Sequence, residues 1–159
     1  MKLSFLIFCV ASVLWLAQAW ADEPLALDNK SWLPFINIEE VVVSDQEIAG
    51  RIKNIDPYFI NEKFAPFQAT GLSVVCFDML VPKGSGKAGA IFWTRAEDKG
   101  MSPERRVGFK VSDDGEWHSY AVDMGVNSGW SGVIKALRID PLDPPAALGV
   151  FRFRNCVIK

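Results

Sequence analysis

Beyond residue 34, no stretch of this chain holds apolar residues at i, i+3, i+4 and i+7 for three helical turns. Its apolar side chains come instead in short runs, several of them alternating with polar ones, and clusters of Gly, Pro, Asp and Ser cut each run off. Period-two alternation turns successive side chains to opposite faces of an extended backbone, so the pattern dictates strands. The predicted strands are 35–43 with a break near Glu39, 47–54, 72–81, 90–95, 106–112, 118–124, 134–140 and 150–158. Between them stand Asp56-Pro57, Lys83-Gly84-Ser85-Gly86, Asp113-Asp114-Gly115 and Pro141-Leu142-Asp143-Pro144-Pro145. Asp114-Gly115 is a hairpin signal, because Gly accepts the positive φ of a tight turn. The 83–87 stretch looks loosely like a phosphate loop, but a strand rather than a helix follows, so it reads as a hairpin loop. With 159 residues and neither repeat nor linker, the expectation is one all-β domain, a jelly-roll β-sandwich of about 8 to 9 strands over 35–159, with 22–34 as its lead-in.

The segment ahead of it, MKLSFLIFCVASVLWLAQAWADEP, has one basic residue, an apolar run from Leu3 to Leu16 and then small residues at the spacing signal peptidase requires. Ala17-Gln18-Ala19 and Ala19-Trp20-Ala21 both offer the small-x-small pattern, and the polar Asp22-Glu23-Pro24 follows the second. Residues 1–21 therefore read as a secretory signal peptide cleaved after Ala21 or after Ala19, which places the mature protein in the periplasm or outside the cell. An uncleaved anchor is the competing reading, because the run nears the ~20 residues that span a bilayer. No later segment is long and apolar enough to span one.

Export changes what the two remaining cysteines mean. Cys76 and Cys156 allow one disulfide in an oxidising compartment, or two separate buried thiols. Zinc is not indicated, since there is no C-x-x-C and His118 is the sole histidine. Asp45, Glu47, Asp56 and Asp140 match no calcium loop, and no metal or other cofactor is expected. Loss of the leader removes Lys2 and no acid, which leaves 16 basic against 19 acidic side chains. That balance argues against a nucleic-acid partner. Half of the residues are apolar and 12% aromatic, so the chain carries enough to pack a core.

Alternation also assigns faces. Val107, Phe109 and Val111 fall on the core side of their strand, with Arg106, Gly108 and Lys110 opposite; Val133, Leu137 and Ile139 face inward, with Ala136, Arg138 and Asp140 opposite. On the strand at Ala90, Phe92 is assigned to the core and Trp93 to the polar face. The last half then carries the most specific string in the sequence: Trp117-His118-Ser119-Tyr120, Val122-Asp123-Met124, Trp130-Ser131-Gly132 and Leu137-Arg138-Ile139-Asp140-Pro141. It resembles the closing half of galactose-binding-like β-sandwich domains, the jelly rolls found as carbohydrate-binding modules or accessory domains in exported, polysaccharide-related proteins. Phe92-Trp93-Thr94 and the final strand through Lys159 fall where that pattern places them, so the resemblance covers about Gly71 to the end. It implies the fold, and sugar binding as one of several uses of that fold.

Sugar binding has a physical case beside the resemblance. Pyranose rings stack their C–H faces on aromatic rings, while guanidinium and carboxylate groups bond the hydroxyls. With Trp93 exposed, Trp93, Arg95, Arg106 and Arg138 line one sheet face beside Lys110. Trp117 and Trp130, after a turn and in a Gly-rich loop, either seal the end of the core or meet ligand. The candidate ligand-binding set is therefore Trp93, Arg95, Arg106, Trp117, Trp130 and Arg138, with no catalytic residue. The expected partner is a polysaccharide or oligosaccharide of the envelope or the exterior. The alternative is an interaction or scaffold domain for a partner protein. A third reading, a polysaccharide lyase using His118 and Tyr120, rests on those two sharing a strand face.

Overall fold

The computed structural model describes residues 23–159, so the leader and its cleavage points lie outside the described residues. Twelve strands follow in order: β1 Leu25–Ala26, β2 Trp32–Ile36, β3 Ile38–Val43, β4 Ile48–Ile52, β5 Tyr58–Asn61, β6 Phe67–Gln68, β7 Val74–Leu80, β8 Ala88–Arg95, β9 Arg106–Lys110, β10 His118–Asp123, β11 Val133–Asp140 and β12 Val150–Ile158. They form two antiparallel sheets of six. Sheet A runs β10-β7-β12-β4-β3, with β1 paired to the end of β12; sheet B runs β2-β5-β11-β8-β9, with β6 paired to the start of β11. The fold is the expected all-β jelly-roll sandwich.

The inward-facing side chains of both sheets build one core. Phe59 at its centre meets Trp32 and Phe153 edge-on, with centroids 5.1 Å away in each case, and stacks on Phe151 at 5.7 Å. Phe77 continues the chain of rings to Phe153 at 5.3 Å and Phe109 at 5.4 Å. Such ring pairs add about 0.5–1.5 kcal/mol each beyond the area they bury. Gly89 is required where it sits: a Cβ there would lie 2.5 Å from the Phe109 ring and 2.9 Å from the Asp140 carbonyl oxygen.

Several details differ from the sequence reading. The predicted 35–43 strand is two strands in different sheets, and the chain turns between them at Asn37, whose φ is 55°. The Asn37 amide holds that corner by donating to the Ile55 carbonyl at 2.7 Å. β1, β5 and β6 carry too few residues between punctuating Pro, Asp and Glu to show alternation. β1 and β2 draw part of the 22–34 stretch into the sheets, with Trp32 fully buried.

The Asp114-Gly115 turn forms, with Gly115 at φ 89°, but it makes no hairpin: it carries the chain from β9 in sheet B to β10 in sheet A. Turn chemistry fixes the reversal, not which sheet the next strand joins. The 83–87 loop likewise crosses from β7 to β8 rather than closing a hairpin. It is tied down by Gly84 N–H to the Asp113 carbonyl at 2.8 Å and Ala146 N–H to the Ser85 carbonyl at 2.6 Å.

Cys76 and Cys156 are free thiols and form no disulfide. Cys76 lies on β7 between the inward Val75 and Phe77, so it faces outward. A bulge at Asn155, φ 56°, resets the alternation of β12 and turns Cys156 into the core. The two residues stand on opposite faces of one sheet, and burial pushes the Cys156 thiol up well above its usual range.

Candidate functional site

The outer face of sheet B is where charge, aromatic surface and concavity converge. Ladder register sets its layout. Phe92 on β8 stands opposite Arg138 on β11 and Arg106 on β9, Ala90 opposite Asp140, and Thr94 opposite Ala136. Cross-strand partners share a face, so all of these point away from the core. Tyr58 and Ile60 complete the row on β5, alternating with the buried Phe59.

Arg138 organises this face. Its guanidinium carbon lies 3.6 Å from the centroid of Tyr58 and 4.7 Å from that of Phe92. It donates to both Asp140 oxygens, Nε at 2.6 Å and Nη2 at 2.7 Å, and from Nη2 to Asp56 at 2.6 Å. A planar fork between two rings and two carboxylates is geometry a lysine cannot supply. Asp140 is buried, and burial pushes its carboxyl up to about 6; the Arg138 contacts pull it down, and the nearby Asp56 and Asp143 charges push it up further. Burial pulls the Arg138 guanidinium down, but the Asp140 and Asp56 carboxylates outweigh it and keep Arg138 above its ordinary value. The Arg106 guanidinium carbon lies 5.9 Å from the centroid of Phe92, and Arg106 pairs with Asp143 at 3.3 Å, its side chain half exposed.

Beside this cluster the face drops into a cleft of about 390 Å³ lined by Glu62, Phe64, Pro66, Lys135 and Ala136. The small side chain of Ala136 leaves room there beside Phe64 and Pro66. Lys135 is held over its rim by bonds to the Ala96 and Asp98 carbonyls at 3.4 and 3.1 Å.

Two of the six sequence-selected residues, Arg106 and Arg138, are thus brought together. Trp93 is not on this face, and the Phe92/Trp93 orientation is the reverse of the expectation. Trp93 is fully buried, donates its indole N–H to the Gly129 carbonyl at 3.1 Å and meets Trp130 edge-on at 5.3 Å. Its register partner is the buried Leu137, which fixes it inside. Trp130 seals the end of the core and donates to the Leu72 carbonyl at 2.9 Å. Arg95 shares Trp93's parity, but its strand ends there. Its guanidinium turns into the following loop, pairing with Glu97 at 3.0 Å and Asp98 at 3.3 Å.

Trp117 lies on the opposite, outer face of sheet A, half buried beneath Arg154 at 4.0 Å and Arg152 at 5.7 Å. His118 and Tyr120 are engaged within the fold. The His118 Nε2 lies 2.9 Å from the Asp114 carboxylate, and Tyr120 stacks on Phe77 at 5.2 Å while its hydroxyl accepts from the Ser112 N–H. Of the considered calcium ligands, Asp45 pairs with Lys30, Glu47 with Arg152, and Asp56 and Asp140 with Arg138. No cluster of metal-binding side chains occurs among the described residues. Tyr58, Phe92, Asp143 and the Phe64 cleft were missed as site components. Arg138 followed by Asp140 reads in the sequence as an intramolecular ion pair more than as a ligand site, and the two do pair.

No protein-family profile and no curated protein matches the chain. Solved structures do. A low-affinity xylan-binding module, CBM86, from the gut symbiont Roseburia intestinalis superposes with a TM-score of 0.58 at 8% identity, over 86% of this chain and 95% of that one. The family 11 carbohydrate-binding module of Clostridium thermocellum, solved with a β-1,3-1,4-mixed-linked tetrasaccharide, gives 0.55 at 8% identity over 85% and 94%. The K1 cleaved adhesin domain of Lys-gingipain from Porphyromonas gingivalis W83 gives 0.51 at 9% identity over 86% and 98%. At such identities the likeness is one of architecture: this chain has a jelly-roll β-sandwich of the kind that carbohydrate-binding modules use.

Proposed function

We propose that the protein is an exported, non-catalytic carbohydrate-binding domain that holds an envelope or extracellular polysaccharide on the outer face of sheet B. The observation that carries this reading is the meeting of Arg106 and Arg138 across Phe92, with Tyr58, Asp56, Asp140 and Asp143 around them and the Phe64 cleft alongside. Such a face offers hydroxyls both fixed donors and fixed acceptors, and the partly exposed Tyr58, Ile60 and Phe64 supply the apolar surface a pyranose needs, Phe92 being buried beneath the two guanidiniums. The strands β5, β11, β8 and β9 lie side by side, so the face is about 14 Å across, three interstrand spacings, which suits a short run of sugar residues. Arg138 acts as the fixed post of this site, its Nε and Nη2 held by Asp140 and Asp56; the exposed Arg106 and Glu62 make the adaptable contacts.

The fold supports the reading, since xylan and a β-1,3-1,4-mixed-linked tetrasaccharide are named for two of the similar modules. The leader read from residues 1–21 supports export, and among the described residues no helix is long and apolar enough to cross a membrane. A protein partner is less well served. The exposed large apolar side chains are Leu33 and Ile36 on β2, Val42 on β3, Val150 on β12, and Ile55, Val126 and Leu148 outside the strands, so they are spread over both sheets and several connections.

Calorimetric titration with soluble xylan and mixed-linked β-glucan tests the proposal, using wild type, Arg106→Ala and Tyr58→Ala. Saturable binding that weakens about tenfold in each folded variant is the expected result. No heat with any neutral or acidic polysaccharide at millimolar sugar overturns it.

A further inference from the structure

The outer face of sheet A, opposite the proposed site, carries a second cluster of an indole, two arginines and two carboxylates. On β10, Ser119, Ala121 and Asp123 alternate with the inward Tyr120 and Val122, and Trp117, just before the strand, takes the outward side. The ladders set a row beside it: Leu80 lies opposite Arg152, and Arg152 opposite Ala49. A second row holds Ser119 opposite Asp78, and Asp78 opposite Arg154. Trp117 is the only tryptophan among the described residues that is not buried, and its indole N–H has no partner within the fold.

The polar groups around it are paired and held in place. Arg152 forks onto Glu47, with Nε at 3.0 Å. Asp78 accepts from Ser119 at 2.6 Å, Asn155 at 2.8 Å and Arg154 Nε at 3.4 Å. Burial pushes the Asp78 carboxyl up, but these bonds outweigh it and keep the group below its usual range, ionised at any ordinary pH. Two arginines against two carboxylates leave the patch neutral overall. An anionic ligand therefore gains no net attraction, whereas a neutral polyol finds an indole, guanidinium N–H donors and carboxylate acceptors at fixed positions.

We propose that this Trp117 patch is a second binding site, for a neutral hydroxyl-rich sugar, so that the domain is bivalent and bridges two polysaccharide chains from opposite faces of the sandwich. The inference rests on the reading of the protein as a carbohydrate binder but uses none of the same residues. Bivalence raises avidity for a polymer without any new contact at either site, because the second binding event becomes intramolecular.

The probes are a mixed-linked β-1,3-1,4-glucan and its tetrasaccharide. Titration of the purified protein with the tetrasaccharide is expected to reach two per chain, and the glucan to raise light scattering by cross-linking. Trp117→Ala should fall to one per chain and lose the scattering, while Arg106→Ala keeps the Trp117 site. The indole N–H resonances in a nitrogen-15 spectrum supply a check free of folding effects: that of Trp117, assigned through Trp117→Phe, should move on titration while those of Trp93 and Trp130 stay. One tetrasaccharide per chain, lost in Arg106→Ala with the Trp117 resonance unmoved, overturns the second site and leaves the sheet B proposal standing. One per chain lost only in Trp117→Ala overturns the sheet B proposal and retains this one. No binding at all overturns both.

Discussion

Arg138 and Phe92 face each other across the β11–β8 ladder, guanidinium carbon 4.7 Å from the ring centroid, and Tyr58 closes on the other side of the guanidinium at 3.6 Å. This stack turns an exposed sheet face into a fixed surface. Its loss would leave Asp140, almost wholly buried, without the partner that neutralises it. Arg138→Ala is expected to cost about 3–5 kcal/mol at pH 7, the range for breaking a buried ion pair by removing one member. Arg138→Lys should recover only a minor part, because an ammonium cannot bond both Asp140 oxygens while lying flat between two rings. Urea unfolding of the two variants measures the difference.

The same carboxylate predicts a pH dependence. Its pKa is about 6 in the folded protein, above the roughly 3.9 of an unfolded aspartate. Between those values the native state holds a proton that the unfolded chain has lost. Asp140 therefore favours folding most below about pH 4; its contribution declines as pH rises towards 6 and is level above that. The decline is worth about 2–3 kcal/mol at 1.36 kcal/mol per unit. Asp78 and Asp98 are held below the usual range and act in the opposite sense, losing stability on acidification. The Asp140 share is thus the difference in slope between wild type and Asp140→Asn over pH 4–7, read by chemical unfolding, and a parallel pair of profiles would contradict it.

The two tryptophans inside the sandwich should matter for stability and not for ligand. Trp93→Phe removes the bond to the Gly129 carbonyl, leaving that oxygen without its partner at a cost of about 2 kcal/mol. Trp93→Ala should cost about 3–5 kcal/mol. Sugar affinity of Trp93→Phe is expected to match wild type within a factor of two, measured by the same titrations.

How much of this was legible beforehand follows from what each signal encodes. The alternation of Val107 and Phe109 against Arg106, Gly108 and Lys110 was readable because a five-residue strand with one apolar face has one sensible orientation. Ala90 to Arg95 offered no such contrast: both parities are apolar, and only the pairing of Trp93 with the buried Leu137 decides the matter. Register is a long-range fact that neither strand carries alone. The Asp114-Gly115 turn was legible as a turn and misleading as a hairpin for the same reason. On β11, the bulge between Ile134 and Ala136 sends Ile134 into the core in place of Val133, a one-residue slip that leaves no mark in the hydrophobic pattern. Arg106 and Arg138 could be selected because they lie opposite strongly apolar faces, whereas Tyr58 sits in a four-residue strand too short to show a period.

The free thiols give a further prediction. Cys76 faces outward and is partly accessible, while Cys156 is enclosed and its thiol is pushed up by burial. A thiol reagent should label one site in the native protein and two after unfolding, with mass spectrometry placing the native label on Cys76. The midpoint of thermal unfolding should be the same with and without reductant. A reductant-dependent shift of several degrees would show a disulfide that the opposed faces of β7 and β12 do not allow.

Binding on the outer face of sheet B is tested by chemical-shift mapping of backbone amides during titration with the mixed-linked tetrasaccharide. A contiguous set of perturbed residues is expected across β5, β11, β8 and β9, centred on Tyr58, Phe92, Arg106 and Ala136. Absence of shifts on these strands at millimolar sugar, with or without perturbation elsewhere, would contradict it.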